Sequence, residues 1–336
     1  MIIEDKINIV KNILKDKKVA IGFSGGADST LIAYLSSKVA SETLAITIDN
    51  HLFPNGFIEH VKNMSQSFAI SHEIIDIDFY DDDEFLSNSP SRCYTCRNLM
   101  YTQIKQLALE KGFDFICDGN NISDLVNDRP GILITYKNNF KTPLIEAKLT
   151  SKEIHEYLNR NNIPYSRSTT CLATRIPTNT PATREKIERI SAAEDYISSN
   201  TDCKIVKVRD FGEIGIVEVD DVNEILCEGK YNQINDALKR QGFGKVALNL
   251  SQIDDNESIT IDYNGDSFLY QLPFTINLEH TKEHAENIIS CDEEKIELDK
   301  ITIFENGLIE GHDLESYDLA LDKFMETLPK LRRNIR

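Results

Sequence analysis

The sequence predicts an α/β protein: a parallel sheet with helices on both faces, then a smaller α+β domain and a C-terminal α+β extension. Three observations carry this. Over the first half of the 336 residues, short β-branched or aromatic runs alternate with helical patterns, the order that builds a parallel sheet. The segment IGFSGGADST, residues 21–30, joins an apolar run to a helix start through a glycine-bent loop. After residue 200 strands and helices mix, and from 252 onward acidic turns separate short strand candidates.

Taken in order, MIIEDKINIVKNILKDKK reads as a charged amphipathic helix. Strands are expected at Val19–Phe23, Thr43–Ile48, His72–Ile77 and Phe113–Cys117, with helices at about 27–40, 56–69 and 94–111 between them. In such a sheet ligands sit at the carboxyl ends of the strands, where the SGGADS loop falls. A helix at about 150–161 follows Thr150 as N-cap, with Glu153 three residues on. STTCLATRIPTNTPAT (168–183) reads as a loop and domain junction ahead of a helix at about 182–198. Strands Lys204–Arg209, Gly215–Val219 and Lys245–Leu250, with helices at 221–227 and 231–241, make the second domain. Strand candidates Ser258–Tyr263, Ser267–Leu272 and Glu297–Phe304 precede a last amphipathic helix at about 313–328. The expected boundaries are 1–180, 181–250 and 251–336.

Composition narrows the function. A hydrophobic content of 40% and mean hydropathy of −0.34 describe an ordinary soluble protein. No apolar run approaches the roughly 18 residues that span a bilayer, and the N-terminus lacks a signal-peptide core. A cytoplasmic protein without membrane contact is expected. The formal charge is −18, and residues 251–336 hold 20 acidic against 8 basic side chains. That balance offers no broad basic footprint, so nucleic acid is not an expected partner. Lys204, Lys207, Arg209, Lys239 and Arg240 read as solvated surface.

Seven cysteines without regular spacing argue against a disulfide framework and direct attention to metal or sulfur chemistry. Cys93 and Cys96, in SRCYTCRN, stand immediately before a helical pattern. Such a pair offers two soft thiolates, and a helix start lowers their pKa. Alone it leaves a redox pair or half a zinc site open. The third candidate ligand is Cys171, in a loop flanked by Arg167 and Arg175. Positive charge there favours thiolate, although Cys171 reads equally as a small buried hydrophobe. Cys117, Cys203 and Cys227 fall near apolar periodic positions and are expected in the core, and Cys291 is incidental.

The loop after the first strand carries its own chemistry. Its backbone amides and the helix start form a cradle for phosphate oxygens. Gly25 and Gly26 admit the main chain where a Cβ would collide, Ser24 and Ser29 can donate hydroxyls, and Asp28 can hold a bridging metal ion. No G-K-[ST] ending follows, which counts against a γ-phosphate-cleaving NTPase. The SGGxDS pattern resembles the PP-loop of the ATP pyrophosphatases, which split ATP into AMP and pyrophosphate. A PP-loop, adenine nucleotide alpha hydrolase-like sheet is the fold this implies.

Four further segments, DGNNISDLVNDRPG (118–131), TPLIEAKLTSKEI (142–154), CLATRIPTNTPATREKIERISAAE (171–194) and KVRDFGEIGIVEV (207–219), extend the likeness. Together they resemble the LarE-type sulfur transferases over about residues 5–250. That family adenylates a carboxylate of a pyridinium mononucleotide and installs sulfur, leading to the nickel-pincer nucleotide. The resemblance implies that Ser24, Gly25, Gly26, Asp28 and Ser29 hold the ATP phosphates with Mg2+. It implies that Asp118, Gly119, Asn121 and Asp124 line the nucleotide end, and that Glu194, Lys207 and Arg209 form a substrate-phosphate site. Cys171-Leu172-Ala173-Thr174-Arg175 matches the family's CLASR segment with Thr for Ser, making Cys171, Asp28 and Arg175 the expected catalytic residues. In one branch this cysteine gives up its own sulfur and becomes dehydroalanine. In another, Cys93, Cys96 and Cys171 would hold a [4Fe-4S] cluster whose open iron takes a sulfide, and this sequence resembles that branch. A carboxylated nucleotide substrate, a sulfide donor and a homo-oligomer follow as expected partners. A PP-loop enzyme thiolating tRNA, and a non-enzymatic nucleotide-binding redox or zinc sensor, are the competing readings.

Overall fold

A computed structural model describes residues 2–129, 131–166, 170–227, 229–253 and 258–334. Arg167 and most of the IDDNES turn lie outside the described residues. The first sheet is formed by β1 (Lys18–Gly22), β2 (Glu42–Asp49), β3 (Ser71–Asp76) and β4 (Phe115–Cys117), in the order β3-β2-β1-β4. All its pairings are parallel, with Val19 between Thr43 and Phe115. Val19, Ala20 and Ile21 are fully buried, as a central strand covered on both faces requires.

The covering helices are α1 (Ile3–Leu14), α2 (Ala27–Val39), α3 (Phe57–Ser67), α4 (Asp83–Leu86), α5 (Arg92–Glu110), α6 (Ile132–Lys137), α7 (Pro143–Glu146) and α8 (Ser151–Arg160). Helix α8 starts as its sequence predicts. Thr150 accepts from the Glu153 amide at 3.3 Å while Glu153 accepts from the Thr150 amide at 2.9 Å. The same Glu153 receives the buried Lys6 ammonium at 2.6 Å, so α1 is tied to α8 by a group that also caps. Helix α5 begins at Arg92, two residues before its expected start. Pro90 and Ser91 turn straight into it, the Thr95 amide donating to the Ser91 carbonyl at 3.0 Å. Cys93 and Cys96 therefore stand inside the opening turns of this helix, one turn apart, and do not precede it.

The second sheet holds β5 (Val206–Asp210), β6 (Ile214–Val219) and β7 (Lys245–Leu248) in that order. It is antiparallel at β5–β6, parallel at β6–β7 and accompanied by α9 (Arg184–Asn200), α10 (Val222–Leu226) and α11 (Lys230–Arg240). Cys203 packs half-buried against the apolar core of this unit, as expected, whereas Cys227 is exposed. That corrects the expectation of a core role: Cys227 follows the last turn of the five-residue α10, outside its packed face.

The C-terminal sheet is antiparallel throughout. Its strands are β8 (Asp262–Tyr263), β9 (Phe268–Gln271), β10 (Ile288–Cys291), β11 (Lys295–Leu298), β12 (Ile301–Phe304) and β13 (Leu308–Gly311), with α12 (Leu278–Lys282) and α13 (Tyr317–Thr327). The single strand expected at Glu297–Phe304 is a hairpin, because Lys300 adopts a left-handed backbone with φ 64° and reverses the chain. Ser258–Tyr263 pairs only at its last two residues. Among the described residues no helix is long and apolar enough to cross a membrane.

Two apolar clusters decide how the parts meet. Phe268, Phe324, Ile276 and Ile303 of the C-terminal segment share one core with Ile122, Leu125, Ile132 and Ile145 of the first unit. The segment is therefore fused onto the nucleotide side. A second cluster gathers Leu52, Phe79, Phe85, Leu172, Ile176 and Ile187, with Cys96 and Cys171 at its margin. Phe324, edge-on to Phe268 at 5.7 Å, is the largest side chain of the fused core on α13. Phe324→Ala is expected to cost about 3–5 kcal/mol in denaturant unfolding. It should also weaken ATP binding, because Leu125 beside the nucleotide loop shares that core.

Candidate active site

Between β1 and α2 the chain must turn sharply and leave amides free, and Gly25 does this with φ +70°. A Cβ there would sit 3.1 Å from Val61. Ser24 and Ser29 approach each other at 3.3 Å, and the Ser29 hydroxyl donates to the Gly26 carbonyl at 3.2 Å. The loop is thus braced by its own hydroxyls with the α2 N-terminus open, an arrangement suited to phosphate. The β4 loop comes in directly above: a Cβ on Gly119 would lie 2.8 Å from the Ser29 amide nitrogen. A cavity of 290 Å³ runs from Ser24 and Asp28 past Gly119 to an apolar end at Ile46, Ile48 and Phe57. One end is shaped for charge, the other for a flat apolar ring.

Three carboxylates converge at the charged end. Asp118 is buried and accepts from the Tyr101 and Thr135 hydroxyls, each at 2.8 Å, and from the Asn120 amide at 3.0 Å. Burial raises its pKa against the pull of Arg97. Asp124 accepts from the Asn121 amide at 2.9 Å and pairs with Arg129. Among the described residues Asp28 receives only the Asn121 side-chain amide, at 3.0 Å. Burial, then the Asp124 charge, push its carboxyl up to about 7 against Asn121 and Arg129, with Asp118 adding to the rise. A buried carboxyl whose neighbours are carboxyls fits a divalent cation, which would remove that repulsion.

The thiols come together through a clamp. Arg92, buried at the start of α5, donates to the Ala173 carbonyl at 2.9 Å and to Cys93 Sγ at 3.3 Å, and also bonds Asn88. Asn88 itself donates to the carbonyls of Pro177 and Thr180, each at 2.9 Å, and the Leu172 amide donates to the Leu52 carbonyl at 2.8 Å. Residues 171–182 are pinned along residues 85–92 by these contacts. Cys171 opens the turn Leu172–Arg175. Burial raises the Cys171 pKa, countered by the Ala173 amide, Arg92 and Arg175, with Cys93 close enough to add to the rise. Burial raises Cys96 well above the usual thiol range, with Cys171 and then Cys93 next in effect.

Their spacing is informative. Among the described residues, the group with all its ligand atoms within 4.8 Å of one another is Asp49, His51 and Asp76 at the strand ends. The three sulfurs stand wider than that. Sulfurs around one zinc ion would be about 3.8 Å apart, from a Zn–S bond of about 2.3 Å and tetrahedral angles. The trio is thus not drawn together as closely as the ligands of one zinc ion, and Cys96 and Cys171 lie at the margin of an apolar cluster while Cys93 is exposed.

A second cavity, of 610 Å³, reaches from Ser24 and Asp28 past Thr170 to Lys207, with Ile259 and Tyr270 of the C-terminal segment on its wall. Lys207 is half-buried and makes no hydrogen bond or ion pair with a described residue; burial, then Arg175 and Arg209, lower its pKa. It is a cation in want of an anion. Arg175 and Glu194 serve differently. The buried Arg175 donates to Glu194 at 2.7 Å and to Thr170 at 2.6 Å, and Glu194 also accepts from the Val208 amide at 2.9 Å. Arg209 grips the Thr174 carbonyl at 3.0 Å and Glu218 at 2.9 Å. These three hold the turn bearing Cys171 against β5, and Lys207 alone of the proposed phosphate set is unsatisfied. Neither Lys207 nor Arg209 is simple solvated surface.

A PP-loop domain profile matches residues 1–180, more than half of the chain. An uncharacterised protein of Methanocaldococcus jannaschii is 30% identical over 244 residues, 72% of this chain and 93% of its own length. The chain belongs to the PP-loop family. The pyridinium-3,5-bisthiocarboxylic acid mononucleotide synthase of Lactiplantibacillus plantarum is 24% identical over 70% of this chain and 87% of its own. A tRNA-specific 2-thiouridylase of Fusobacterium nucleatum is 42% identical over 62 residues, 18% of each chain. Within the PP-loop family the chain is thus similar, over most of its length, to a LarE-type synthase.

In this PP-loop protein several working residues give no signal in the sequence. Arg92 and Arg97 flank the two cysteines at positions that look like ordinary helix surface, yet both turn inward. Tyr101 and Thr135 hold Asp118 across 17 residues each way, a pairing visible only once β4 is built. Tyr270 belongs to a segment with no motif at all.

The Asp28 environment yields a test. Its folded pKa, about 7 against 3.8, means the folded state holds this proton more tightly than the unfolded chain. Its stabilising contribution is complete below about pH 4 and is lost as pH rises through about 7. The ligand-free protein should therefore lose thermal stability over that window. Asp28→Asn should flatten the loss and raise Tm at pH 8 while abolishing pyrophosphate release. An unchanged pH profile in Asp28→Asn would contradict the assignment.

Proposed function

We propose that this protein adenylates a substrate carboxylate with ATP and exchanges the adenylated oxygen for sulfur, as in nickel-pincer nucleotide synthesis. The observation that carries the reading is the Arg92 clamp, which holds Cys93 beside the turn that Cys171 opens, with Cys96 and Cys171 against one apolar cluster, on the flank of a PP-loop cavity. The name of the Lactiplantibacillus plantarum relative supports a pyridinium mononucleotide carboxylate as the acceptor.

Each residue then has a task. The Ser24–Ser29 loop and the α2 N-terminus bind the β- and γ-phosphates, and Asp28 would hold a Mg2+ ion, which when bound supplies positive charge to the leaving pyrophosphate. The apolar end of the 290 Å³ cavity receives the adenine. Lys207 binds the anionic group of the substrate, so its carboxylate lies near the α-phosphorus. That carboxylate oxygen forms the new bond to phosphorus as pyrophosphate leaves. A sulfur nucleophile then adds to the acyl carbon, and AMP departs with its oxygen. Arg175, held by Glu194, positions Thr170 and the turn carrying Cys171, while Ile259 and Tyr270 exclude water from the acyl-adenylate. Cys93, Cys96 and Cys171 would hold a [4Fe-4S] cluster, which when bound supplies an iron open to exogenous sulfide.

One other route has its own support: Cys171 lies next to Thr170 on the substrate cavity, where its own sulfur could be given up. Anaerobic purification separates the two. Brown protein with about four iron per chain, lost together with repeated turnover in each of Cys93→Ala, Cys96→Ala and Cys171→Ala, is the expected result. Colourless, iron-free protein that thiolates once and loses the mass of one hydrogen sulfide would overturn it. Stoichiometric zinc with no pyrophosphate release would instead make the chain a sensor.

A further inference from the structure

We propose that a cationic cavity beside Cys93, completed by the C-terminal segment, is a subsite for a small anion. On the functional reading above, that anion is the hydrosulfide supplying the sulfur. The cavity measures 460 Å³ and is lined by Cys93, Arg97, Arg129 and Arg333, with Asp128 as its one carboxylate. The acids that neutralise Arg97 and Arg129, namely Asp118 and Asp124, line the nucleotide cavity and not this one. The guanidinium groups are thus balanced from behind while their field reaches into the space beside the thiol.

The donors are also under-used. Arg97 Nε and Arg333 Nε and Nη1 are buried with no hydrogen-bond partner among the described residues, an arrangement that favours an incoming acceptor. Arg333 is held for the purpose. It is 7% exposed, pairs with Asp128, lies 4.3 Å over the Phe274 ring, and sits in a bridge to Ile276. A strongly acidic segment has folded one arginine back onto the first unit, at the wall that carries Cys93.

Assignment of the occupant follows by chemistry. The nucleotide phosphates have the Ser24–Ser29 loop, and the anionic substrate has Lys207, at the far end of the 610 Å³ cavity that shares only Arg129 with this one among the described residues. What remains without a reception site is the sulfur donor. At neutral pH dissolved sulfide divides between neutral hydrogen sulfide and the hydrosulfide anion, and a positive field selects and concentrates the anion. Arg97 and Arg129 also line the nucleotide cavity, so the subsite adjoins the place where the acyl-adenylate forms.

Two measurements on the full chain test this. Crystals soaked in iodide, a monoanion detectable by anomalous scattering, should show a site among Arg97, Arg129 and Arg333, and Arg333→Gln should remove it. In steady-state thiolation, Arg333→Gln should raise the KM for sulfide at least about fivefold with the KM for ATP unmoved, and Arg333→Lys should restore part of it. Asp128→Asn, at an exposed rim position, should lower the KM for sulfide, so the test survives if Arg333→Gln fails to fold. No iodide in the cavity, or an unchanged KM for sulfide in both variants, overturns the proposal. A rise in the KM for the carboxylated substrate instead overturns the sulfide assignment. Iodide bound as expected, in a protein that thiolates nothing, upholds the anion subsite and overturns the functional reading on which sulfide rests.

Discussion

The site depends on one buried arginine. Arg92 joins the first turn of α5 to the Ala173 carbonyl, and that join brings a sulfur from residue 171 to two sulfurs far earlier in the chain. A guanidinium suits the task because its planar fork can serve several acceptors at once: Asn88, Ala173 and Cys93 all use it. A charge buried at that position is tolerated only while those acceptors stay in place. The turn and the helix start therefore hold each other, and the apolar contacts of Leu172 and Ile176 with Phe79 and Phe85 supply the rest of the closure.

A second constraint runs through the nucleotide end. Asp28, Asp118 and Asp124 are packed where carboxylates repel, and the ligand-free protein manages this in three ways. Asp118 is saturated with donors, Asp124 is paired with Arg129, and Asp28 is driven toward its neutral form. The group left least satisfied is the one best placed to meet a metal ion and phosphate. Stability has been given up there for binding, the pattern expected of a preorganised site. The C-terminal segment adds to the same economy of placement by walling the substrate cavity with Ile259 and Tyr270 and by sharing a core with Leu125.

Local signals are legible in the sequence, and long-range ones are not. Glycine chemistry at Gly25 and Gly26, the Thr150–Glu153 capping box and the strand–helix alternation are fixed within a few residues of the chain, and the structure follows them. The start of α5 escapes the sequence because Ser91 makes no side-chain cap, so nothing local marks it. The hairpin at Lys300 looks like one strand because its turn needs only a left-handed lysine, without the Asn-Gly or Asp-Gly pair that announces such turns. Glu194 and Arg175 are recognisable as charged residues of interest. That they satisfy each other, leaving Lys207 without a hydrogen bond or ion pair among the described residues, depends on α9 packing against β5, which no spacing rule contains.

The most direct test of the account is a disulfide map of the metal-free protein after mild oxidation. Peptide mass analysis should find Cys171 joined to Cys93 or Cys96, and Arg92→Ala should lose that link while keeping a folded circular-dichroism spectrum. Cys171 left reduced in the wild type, with only Cys93 and Cys96 joined to each other, would contradict the claim that the clamp brings the three thiols into one site.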